Sequence, residues 1–227
     1  MNELEQLHAE MRACRLCLEA GYQIVPGAVM QGQASARVLL IGQAPGVTEV
    51  AAKRPFNAGS GRKLFSWLGE VGWEEASFRA THYMTSVTKC YPGKPENGRG
   101  DRVPTPAEQA LCRGYLEREI ALVNPVLIIL VGKLSSQLLF PARLKLTETI
   151  GKGAYFAPAA LARPVNFKLK QATLHERYVE YGYRTGRWVI PLPHPSGASV
   201  WPNLPQNKPY LEQALTLLRD IKESWEL

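Results

Sequence analysis

Long apolar runs are absent from this sequence of 227 residues. No segment approaches the roughly 18 consecutive apolar residues of a membrane-spanning helix, so we expect no membrane insertion. The first residues, Met-Asn-Glu-Leu-Glu-Gln, lack the basic and then apolar pattern of a secretory signal, which predicts a cytoplasmic location. Disordered, collagen-like and coiled-coil chains are excluded, because 45% of the residues are hydrophobic and 21% are charged.

Acidic residues are in the minority. The chain has 20 Asp and Glu residues against 27 Lys and Arg residues, which gives a formal charge of +7 and a pI near 9.3. Surplus positive charge steers polyanions to a protein and binds them through counterion release. The balance therefore favours a nucleic-acid partner, and the alternative is a basic protein without a polyanionic partner.

Cysteine is scarce as well, with Cys14, Cys17, Cys90 and Cys112. At this length roughly 70% of the surface can be buried on folding, so no disulfide framework is required. The first two cysteines form a C-x-x-C pair, and the other two complete a set of four with no unassigned thiol. In a reducing compartment this set predicts ligands for tetrahedral zinc or a [4Fe–4S] cluster, and the alternative is small core residues.

Apolar runs alternate with helical patterns along the chain. The clearest strand is residues 126–131, whose apolar residues are continuous, as in a parallel sheet that is buried on both faces. Thr105 and Glu108 form a capping box with a proline at the first helical position, and Ser60 is the predicted cap of another helix. Further strands are predicted at 37–41, 82–88 and 188–190, and further helices at 2–12, 133–140 and 208–225.

These elements predict an α/β fold, in the form of a three-layer α/β/α sandwich with a central four-stranded parallel sheet. We expect a single domain over residues 1–227, with an exposed loop over 91–104. Residues 147–187 show no strong period and are predicted to be an insertion.

Four turns follow the predicted strands, at residues 42–46, 86–90, 132–133 and 194–199. Ligands of parallel sheets bind beyond the carboxyl ends of the strands, so these turns are expected to converge on one edge. Glycines in the first turn let backbone N–H groups approach a ligand. The sequence therefore predicts one site at this edge.

Six motifs, taken in order, resemble those of the uracil-DNA glycosylase superfamily, and in particular its iron–sulfur type, family 4. The resemblance covers residues 14–200 and is specific, because all six motifs agree in order. The motifs are Cys14-x-x-Cys17, Gly42-Gln-Ala-Pro-Gly46, Arg54-Pro-Phe56, Thr85-Ser-Val-Thr-Lys-Cys90, Cys112 and His194-Pro-Ser196.

The resemblance implies a DNA repair enzyme that flips uracil out of DNA and hydrolyses its N-glycosidic bond, leaving an abasic site. It also implies a [4Fe–4S] cluster on the four cysteines. By the same resemblance His194, neutral or charged, donates to the leaving uracil anion, assisted by backbone N–H groups around Gln43 and Ala44. Phe56 supplies the stacking face, and the alternative for this residue is a plain core position.

The sequence departs from the family pattern in its polar site residues and in the loop after Ser196. The family's Glu in the first motif is Gln43, which orients a water but takes no proton at neutral pH, so we expect a dissociative reaction with weak base assistance. Glu49 is the candidate for a polarising carboxylate, and its alternative is a solvated surface charge. Ser86 replaces the Asn that reads the uracil edge, and its hydroxyl both donates and accepts; Asn57 is the candidate for the missing amide.

Contacts to uracil-containing DNA are expected from turn backbones and basic side chains, and we expect a monomer. A wedge must fill the gap left by the flipped nucleotide, for which Val200, Trp201 and Leu204 are candidates; alternatively, Trp201 packs under its loop. The candidate phosphate contacts are Gly46, Lys89, Arg99, Arg102, Lys133, Ser196 and Gly197.

Three other functions stay open at this point. One is a glycosylase for another deaminated base, hypoxanthine or xanthine. The second is a non-catalytic nucleic-acid-binding module held together by a metal. The third is a protein that becomes covalently trapped on the abasic sugar through His194.

Overall fold

A six-stranded sheet forms the centre of the computed structural model, with strands in the order β2-β1-β3-β6-β4-β5. The strands are β1 (Val38–Gly42), β2 (Tyr83–Ser86), β3 (Leu127–Val131), β4 (Gly153–Phe156), β5 (Thr173–His175) and β6 (Arg187–Leu192). The structure describes residues 2–96, 98, 100–162, 169–182, 184–197 and 199–227.

Four of the strands pair in parallel, as predicted. β1 pairs with β2 on one side and with β3 on the other, and β3 pairs with β6. The register places Gly42 beside Ser86, so the carboxyl ends of β1 and β2 lie level. Every residue of these four strands is buried, as expected for a sheet covered on both faces.

The prediction of a four-stranded sheet is wrong, because the segment 147–187 adds two antiparallel strands. β4 pairs with β6, and β5 pairs with β4. β4 begins with Gly and Ala, and β5 has only three residues, so neither shows the β-branched or alternating apolar pattern of a strand. Tyr155 of β4 stacks on Tyr181 with 3.7 Å between ring centroids, so aromatic contacts stabilise this edge. Residues 163–168 and 183 of the segment lie outside the described part of the chain.

Helices cover both faces of the sheet. None of the described helices is long and apolar enough to span a bilayer. The helix predicted at 133–140 ends early, at Ser136. The α-helices are α1 (Glu3–Ala13), α2 (Leu16–Glu19), α3 (Val47–Ala52), α4 (Gly59–Glu70), α5 (Glu75–Thr81), α6 (Pro106–Val123), α7 (Lys133–Ser136), α8 (Leu146–Thr149) and α9 (Lys208–Trp225).

Helix starts follow local capping only in part. The Thr105 hydroxyl accepts from the Glu108 N–H, and the Glu108 carboxylate accepts from the Thr105 N–H, which confirms the predicted start of α6. The prediction that Ser60 caps α4 is wrong. The carbonyl of Ala58 already accepts the first helical hydrogen bond, so α4 begins at Gly59.

Alternate residues of the central strands face two separate cores. On β1, Val38 and Leu40 pack with residues of α4, α5 and α9, whereas Leu39 and Ile41 pack with residues of α1 and α6. The sheet thus has a helix layer on each face, and the carboxyl ends of its parallel strands are left open.

A buried ion pair joins the segment after β2 to α6. Lys89 Nζ lies 2.5 Å from Glu119 Oε2, and the two side chains are 2% and 0% exposed. Nζ also donates to Thr85 Oγ1 at 2.8 Å and to the Ser86 carbonyl at 2.5 Å, while the Tyr83 hydroxyl donates to Glu119 at 2.9 Å. Both charges have several partners, which is the condition for tolerating a buried pair.

Removing one partner of this pair should destabilise the fold strongly. Glu119→Gln leaves the Lys89 ammonium buried without a counter-charge, and we expect the free energy of unfolding to fall by about 3–5 kcal/mol in chemical denaturation at neutral pH. Glu117→Gln is the matched control on the same helix. Glu117 pairs with Arg113, and both side chains are 41% exposed. The free energy of unfolding of Glu117→Gln should therefore fall by only about 0.2–1 kcal/mol. Equal losses would contradict this account.

Candidate functional site

The turns after β1, β2 and β6 meet at one edge of the sheet and surround a cavity of about 390 Å³. Gln43 and Ala44 reach it from the first turn, Ser86 from the end of β2, and His194 from the segment after β6. Phe56, in the connection between α3 and α4, contributes to the same wall. The structure therefore brings these five sequence-predicted residues together.

Phe56 is held in the left-handed region, with φ of 51°. Its N–H donates to the Glu49 carboxylate, and its carbonyl accepts from Arg79 at 2.9 Å. A Cβ at Gly42 would lie 2.9 Å from the Phe56 ring, so only glycine lets the ring pack on the strand end. These contacts fix the aromatic ring as one wall of the cavity.

Arg79 of α5 is a site residue that sequence reasoning missed. Its side chain is 6% exposed and donates to the carbonyl of Pro55 at 2.8 Å as well as to Phe56. The guanidinium carbon also lies 4.5 Å from the centre of the Phe65 ring, within range of a cation–π contact. The one sequence signal is Glu75, four residues earlier, which accepts from Arg79 at 2.8 Å and is equally typical of a surface helix.

The Glu49 carboxylate joins two turns of the cavity wall. It accepts from the Gly46 N–H at 2.6 Å and from the Phe56 N–H. Burial raises the pKa of Glu49, and the backbone hydrogen bonds act in the opposite direction. Glu49 therefore clamps the loop that carries Phe56, and its role in polarising water stays a prediction.

His194 presents a neutral N–H donor. The Ser196 N–H donates to His194 Nδ1 at 3.2 Å, so Nδ1 is the acceptor and the proton of the neutral ring lies on Nε2. Burial lowers the pKa of His194, which keeps the ring neutral near pH 7. A Cβ at Gly132, whose φ is 93°, would lie 3.1 Å from Cδ2 of this ring. Gly132 thus sets the position of the imidazole.

Ser86 presents an acceptor. Its hydroxyl donates to the Thr88 carbonyl at 2.7 Å, and both residues are buried. A hydroxyl has one proton and two lone pairs, so only the lone pairs are left for a ligand. The Thr88 N–H donates in turn to the Gln43 carbonyl at 3.2 Å, which ties the end of β2 to the first turn.

Two candidates of the sequence lie away from the cavity. The Asn57 side chain is exposed and is not part of the lining, although its N–H bonds to Glu49. Trp201 is half-buried and packs against the core, whereas Val200 beside it is 65% exposed. Leu204, the third wedge candidate, is half-buried, so Val200 is the most accessible of the three.

The predicted phosphate contacts differ in accessibility. Lys133 is exposed on the turn after β3. Lys89 and Arg102 are engaged by Glu119 and Glu108, respectively. Arg99 lies outside the described residues. Among the turn positions, Gly197 is exposed, and Gly46, Ser196 and Leu204 are half-buried.

Asp101, in the connection between β2 and α6, is the second residue that sequence reasoning missed. A Cβ at Gly46 would lie 3.3 Å from its Oδ2. Its charge acts to raise the pKa of both Glu49 and His194. No sequence pattern marks it, because the surrounding Pro, Gly and charged residues predict only an exposed loop.

The four cysteines line a second cavity of about 510 Å³. Cys14 follows α1, Cys17 lies in α2, Cys90 follows β2 and Cys112 lies in α6. Burial is the main cause that raises the pKa of Cys17 and of Cys90 to about 11. Among the described residues, no three Cys, His, Asp or Glu side chains are placed to hold a single metal ion.

Two hydrogen-bond donors belong to residues that line this cavity. The Lys89 N–H donates to Cys112 Sγ at 3.4 Å. The Thr88 hydroxyl lies in the cavity wall, is buried, and has no hydrogen-bond partner among the described residues. A buried polar group without a partner is costly, which points to a group that is bound in this cavity.

The protein thus combines an α/β fold, a cavity at the carboxyl edge of the sheet and a separate cavity lined by four cysteines. Residues 29–219 match the family model described as UDG, the uracil DNA glycosylase superfamily. The chain belongs to this superfamily, and the resemblance inferred from the six motifs is confirmed.

Several relatives are named Type-4 uracil-DNA glycosylase. A Type-4 uracil-DNA glycosylase of Sulfurisphaera tokodaii is 31% identical over 223 residues, which cover 97% of this chain and 86% of that protein. The proteins of that name from Archaeoglobus fulgidus and Pyrobaculum aerophilum are 32% and 31% identical. Those matches cover 62% and 66% of this chain, and 65% and 70% of the relatives.

Proposed function

We propose that this protein excises uracil from DNA by hydrolysing its N-glycosidic bond, leaving an abasic site. The observation that carries the proposal is the complementarity of the edge cavity. The flat apolar face of Phe56 suits the face of the uracil ring. The Ser86 acceptor suits the uracil N–H, and the His194 N–H donor suits a uracil carbonyl oxygen. The relatives named Type-4 uracil-DNA glycosylase support the same activity.

The donor and acceptor directions favour uracil over cytosine. Uracil carries a proton on N3, which the Ser86 lone pairs accept, whereas cytosine carries a lone pair on N3 that opposes them. Hypoxanthine and xanthine also carry an N–H beside a carbonyl. The fixed direction of Ser86 therefore keeps these purines as a second candidate substrate class.

His194 stabilises the departing base. As the bond between C1′ and N1 breaks, the electron pair moves into the uracil ring and negative charge grows on the carbonyl oxygen. A preorganised Nε2–H donor meets that charge, which typically contributes about 3 kcal/mol, or roughly 100-fold in rate. Because the ring is already neutral, the donor keeps its proton and lowers the energy of the anion by hydrogen bonding alone.

Val200 is proposed as the wedge that fills the gap in the duplex. It follows the His194 turn and is 65% exposed, so its side chain is free to enter a base stack. Trp201 instead stabilises the base of the loop, because it packs against the core and its ring lies 6.4 Å from that of Tyr210.

The cysteine cavity fits a [4Fe–4S] cluster better than a single ion. A zinc ion draws its sulfur ligands within about 2.3 Å of one centre, and the described residues contain no such close group. Four thiols surround a cavity of about 510 Å³, which leaves room for a [4Fe–4S] cluster. The Lys89 N–H, which bonds Cys112, and the Thr88 hydroxyl, which has no partner among the described residues, suit a group that carries sulfur acceptors. The cluster would cross-link α1, α2 and α6 to the segment after β2.

The activity is tested with an oligonucleotide that contains one uracil, followed by cleavage of abasic sites with alkali. We expect uracil release by the unmodified protein and a rate about 100-fold lower in His194→Ala. Since burial lowers the pKa of His194, the rate should hold as the pH falls from neutral to the ordinary imidazole value of 6.5. No release from uracil-containing DNA would contradict the proposal. Release from inosine-containing DNA alone would assign the purine substrate instead.

A second variant and a matched control keep this test specific. Gly132→Ala retains His194 but places a Cβ 3.1 Å from its ring, so it should also slow excision. Gly114→Ala in α6 has open space around it and should leave the rate unchanged. A DNA adduct that survives denaturation would indicate covalent trapping rather than hydrolysis.

The direction of the hydrogen bond from the Ser86 hydroxyl gives a separate prediction. Ser86→Ala removes the acceptor, and we expect kcat/KM for uracil to fall by roughly 10-fold to 100-fold, as for loss of one buried hydrogen bond. Thr149→Val is the matched control, since this buried hydroxyl also donates to a local carbonyl, that of Leu146, outside the cavity lining. An unchanged preference for uracil over cytosine in Ser86→Ala would show that another group reads the base.

The metal centre is tested by iron analysis and redox titration. Cys112→Ser should lose iron, whereas Thr88→Val should keep about four irons per chain. The Thr88 hydroxyl would supply a hydrogen bond to a bound cluster, so its loss should make the reduction potential more negative. Stoichiometric zinc without iron would overturn the assignment, and an unchanged potential in Thr88→Val would remove Thr88 from it.

A further inference from the structure

We infer that Lys89 is a positioning residue for uracil recognition, which holds the end of β2 in the shape that the base meets. The inference rests on the proposed excision of uracil and deepens it. Lys89 does not line the edge cavity, yet it is hydrogen-bonded to three residues that do. These residues are Val29, Thr85 and Ser86.

The ammonium of Lys89 has three N–H donors, and three acceptors surround it. Nζ donates to Thr85 Oγ1 at 2.8 Å and to the Ser86 carbonyl at 2.5 Å. It also lies 2.5 Å from Glu119 Oε2. The side chain is buried, so these acceptors take the place of its hydration shell. The lysine thus folds back on the last two residues of β2 and fixes them against α6.

The backbone of Lys89 is fixed from two further directions. Its N–H donates to Cys112 Sγ at 3.4 Å, and its carbonyl accepts from the Val29 N–H at 3.0 Å. Val29 is buried and belongs to the segment before β1. One residue therefore ties the end of β2 both to α6 and to a second part of the cavity wall.

The contact with Ser86 bears on recognition of the base. The Ser86 hydroxyl donates to the Thr88 carbonyl at 2.7 Å, and this bond leaves only its lone pairs for a ligand. Lys89 holds the Ser86 carbonyl in the same turn. If that turn relaxed, the hydroxyl would be free to rotate and to donate to the N3 lone pair of cytosine. A held turn therefore keeps the acceptor direction that suits uracil.

Stability alone does not explain why this position carries a charge. A buried ion pair is often replaced by apolar residues of similar volume without loss of stability. Apolar side chains donate no hydrogen bonds, however, and would leave the Ser86 carbonyl without the donor that fixes it. The lysine supplies direction at the end of β2, which an apolar residue does not.

Both charges are removed together in the double variant Lys89→Met/Glu119→Gln. The glutamine retains an oxygen that accepts from the Thr85 hydroxyl, and no buried charge is left unpaired, so this protein should stay folded. Arg113→Met/Glu117→Gln is the matched control on the same helix, because that pair is exposed and lines neither cavity. Both double variants keep the net charge, so general attraction to DNA stays equal.

Single-turnover excision of uracil should be roughly 10-fold slower in Lys89→Met/Glu119→Gln than in the control, as for loss of one buried hydrogen bond. The sharper readout is a mutant cycle with Ser86→Ala. If Lys89 acts through Ser86, adding Ser86→Ala to the double variant should slow excision by less than about twofold more. A double variant within about twofold of the control would overturn the inference. So would an undiminished effect of Ser86→Ala in the double variant, which a merely structural role predicts.

Thr85→Val tests the same contact without touching either charge. It removes one acceptor of the Lys89 ammonium, so it decides the matter if the double variant does not fold. We expect excision to be roughly 3-fold to 10-fold slower, again with a diminished effect of Ser86→Ala. An unchanged rate, or effects that multiply in full, would overturn the inference. Absence of uracil release by the unmodified protein would instead contradict the proposed function, and the inference would fall with it.

Discussion

The buried ion pair between Lys89 and Glu119 is the contact on which both cavities depend. The Lys89 ammonium donates to the carbonyl of Ser86, a residue of the edge cavity, and the Lys89 backbone N–H donates to Cys112 in the cysteine cavity. Glu119 lies on the same helix as Cys112 and also accepts from the strand residue Tyr83. Lys89 thus bonds a residue of each cavity. A change at the cysteines can reach the end of β2 through this one side chain.

Hydrogen bonds to backbone groups hold the cavity wall in shape. Glu49 and Arg79 between them bond the N–H and the carbonyl of Phe56. Thr88 bonds the carbonyl of Gln43. The Phe56 loop and the first turn are therefore positioned partly by Arg79 and Thr88, which lie outside the cavity lining, a common arrangement where a site needs fixed geometry. Substitution of these partners is expected to act on the cavity indirectly, through the loop.

Much of the fold is predictable from local pattern. Continuous apolar runs identify the parallel strands, and the capping box at Thr105 identifies the start of α6. β4 and β5 escaped prediction because each is short and is stabilised by distant aromatic partners. In the site, the motif residues Phe56, Ser86 and His194 line one cavity, and their roles stay predictions. The direction of the Ser86 hydroxyl, the burial of Arg79 and the placement of Asp101 beside Gly46 depend on tertiary contacts that no local pattern encodes.

The left-handed backbone of Phe56 has a consequence for behaviour on heating. Such a conformation costs a bulky residue about 1–3 kcal/mol, and the cost is met only while the surrounding hydrogen bonds persist. The aromatic wall should then relax in a local opening that needs less energy than melting the sheet. Thermal inactivation would precede loss of secondary structure, and cooling would restore the working shape without a global refolding step.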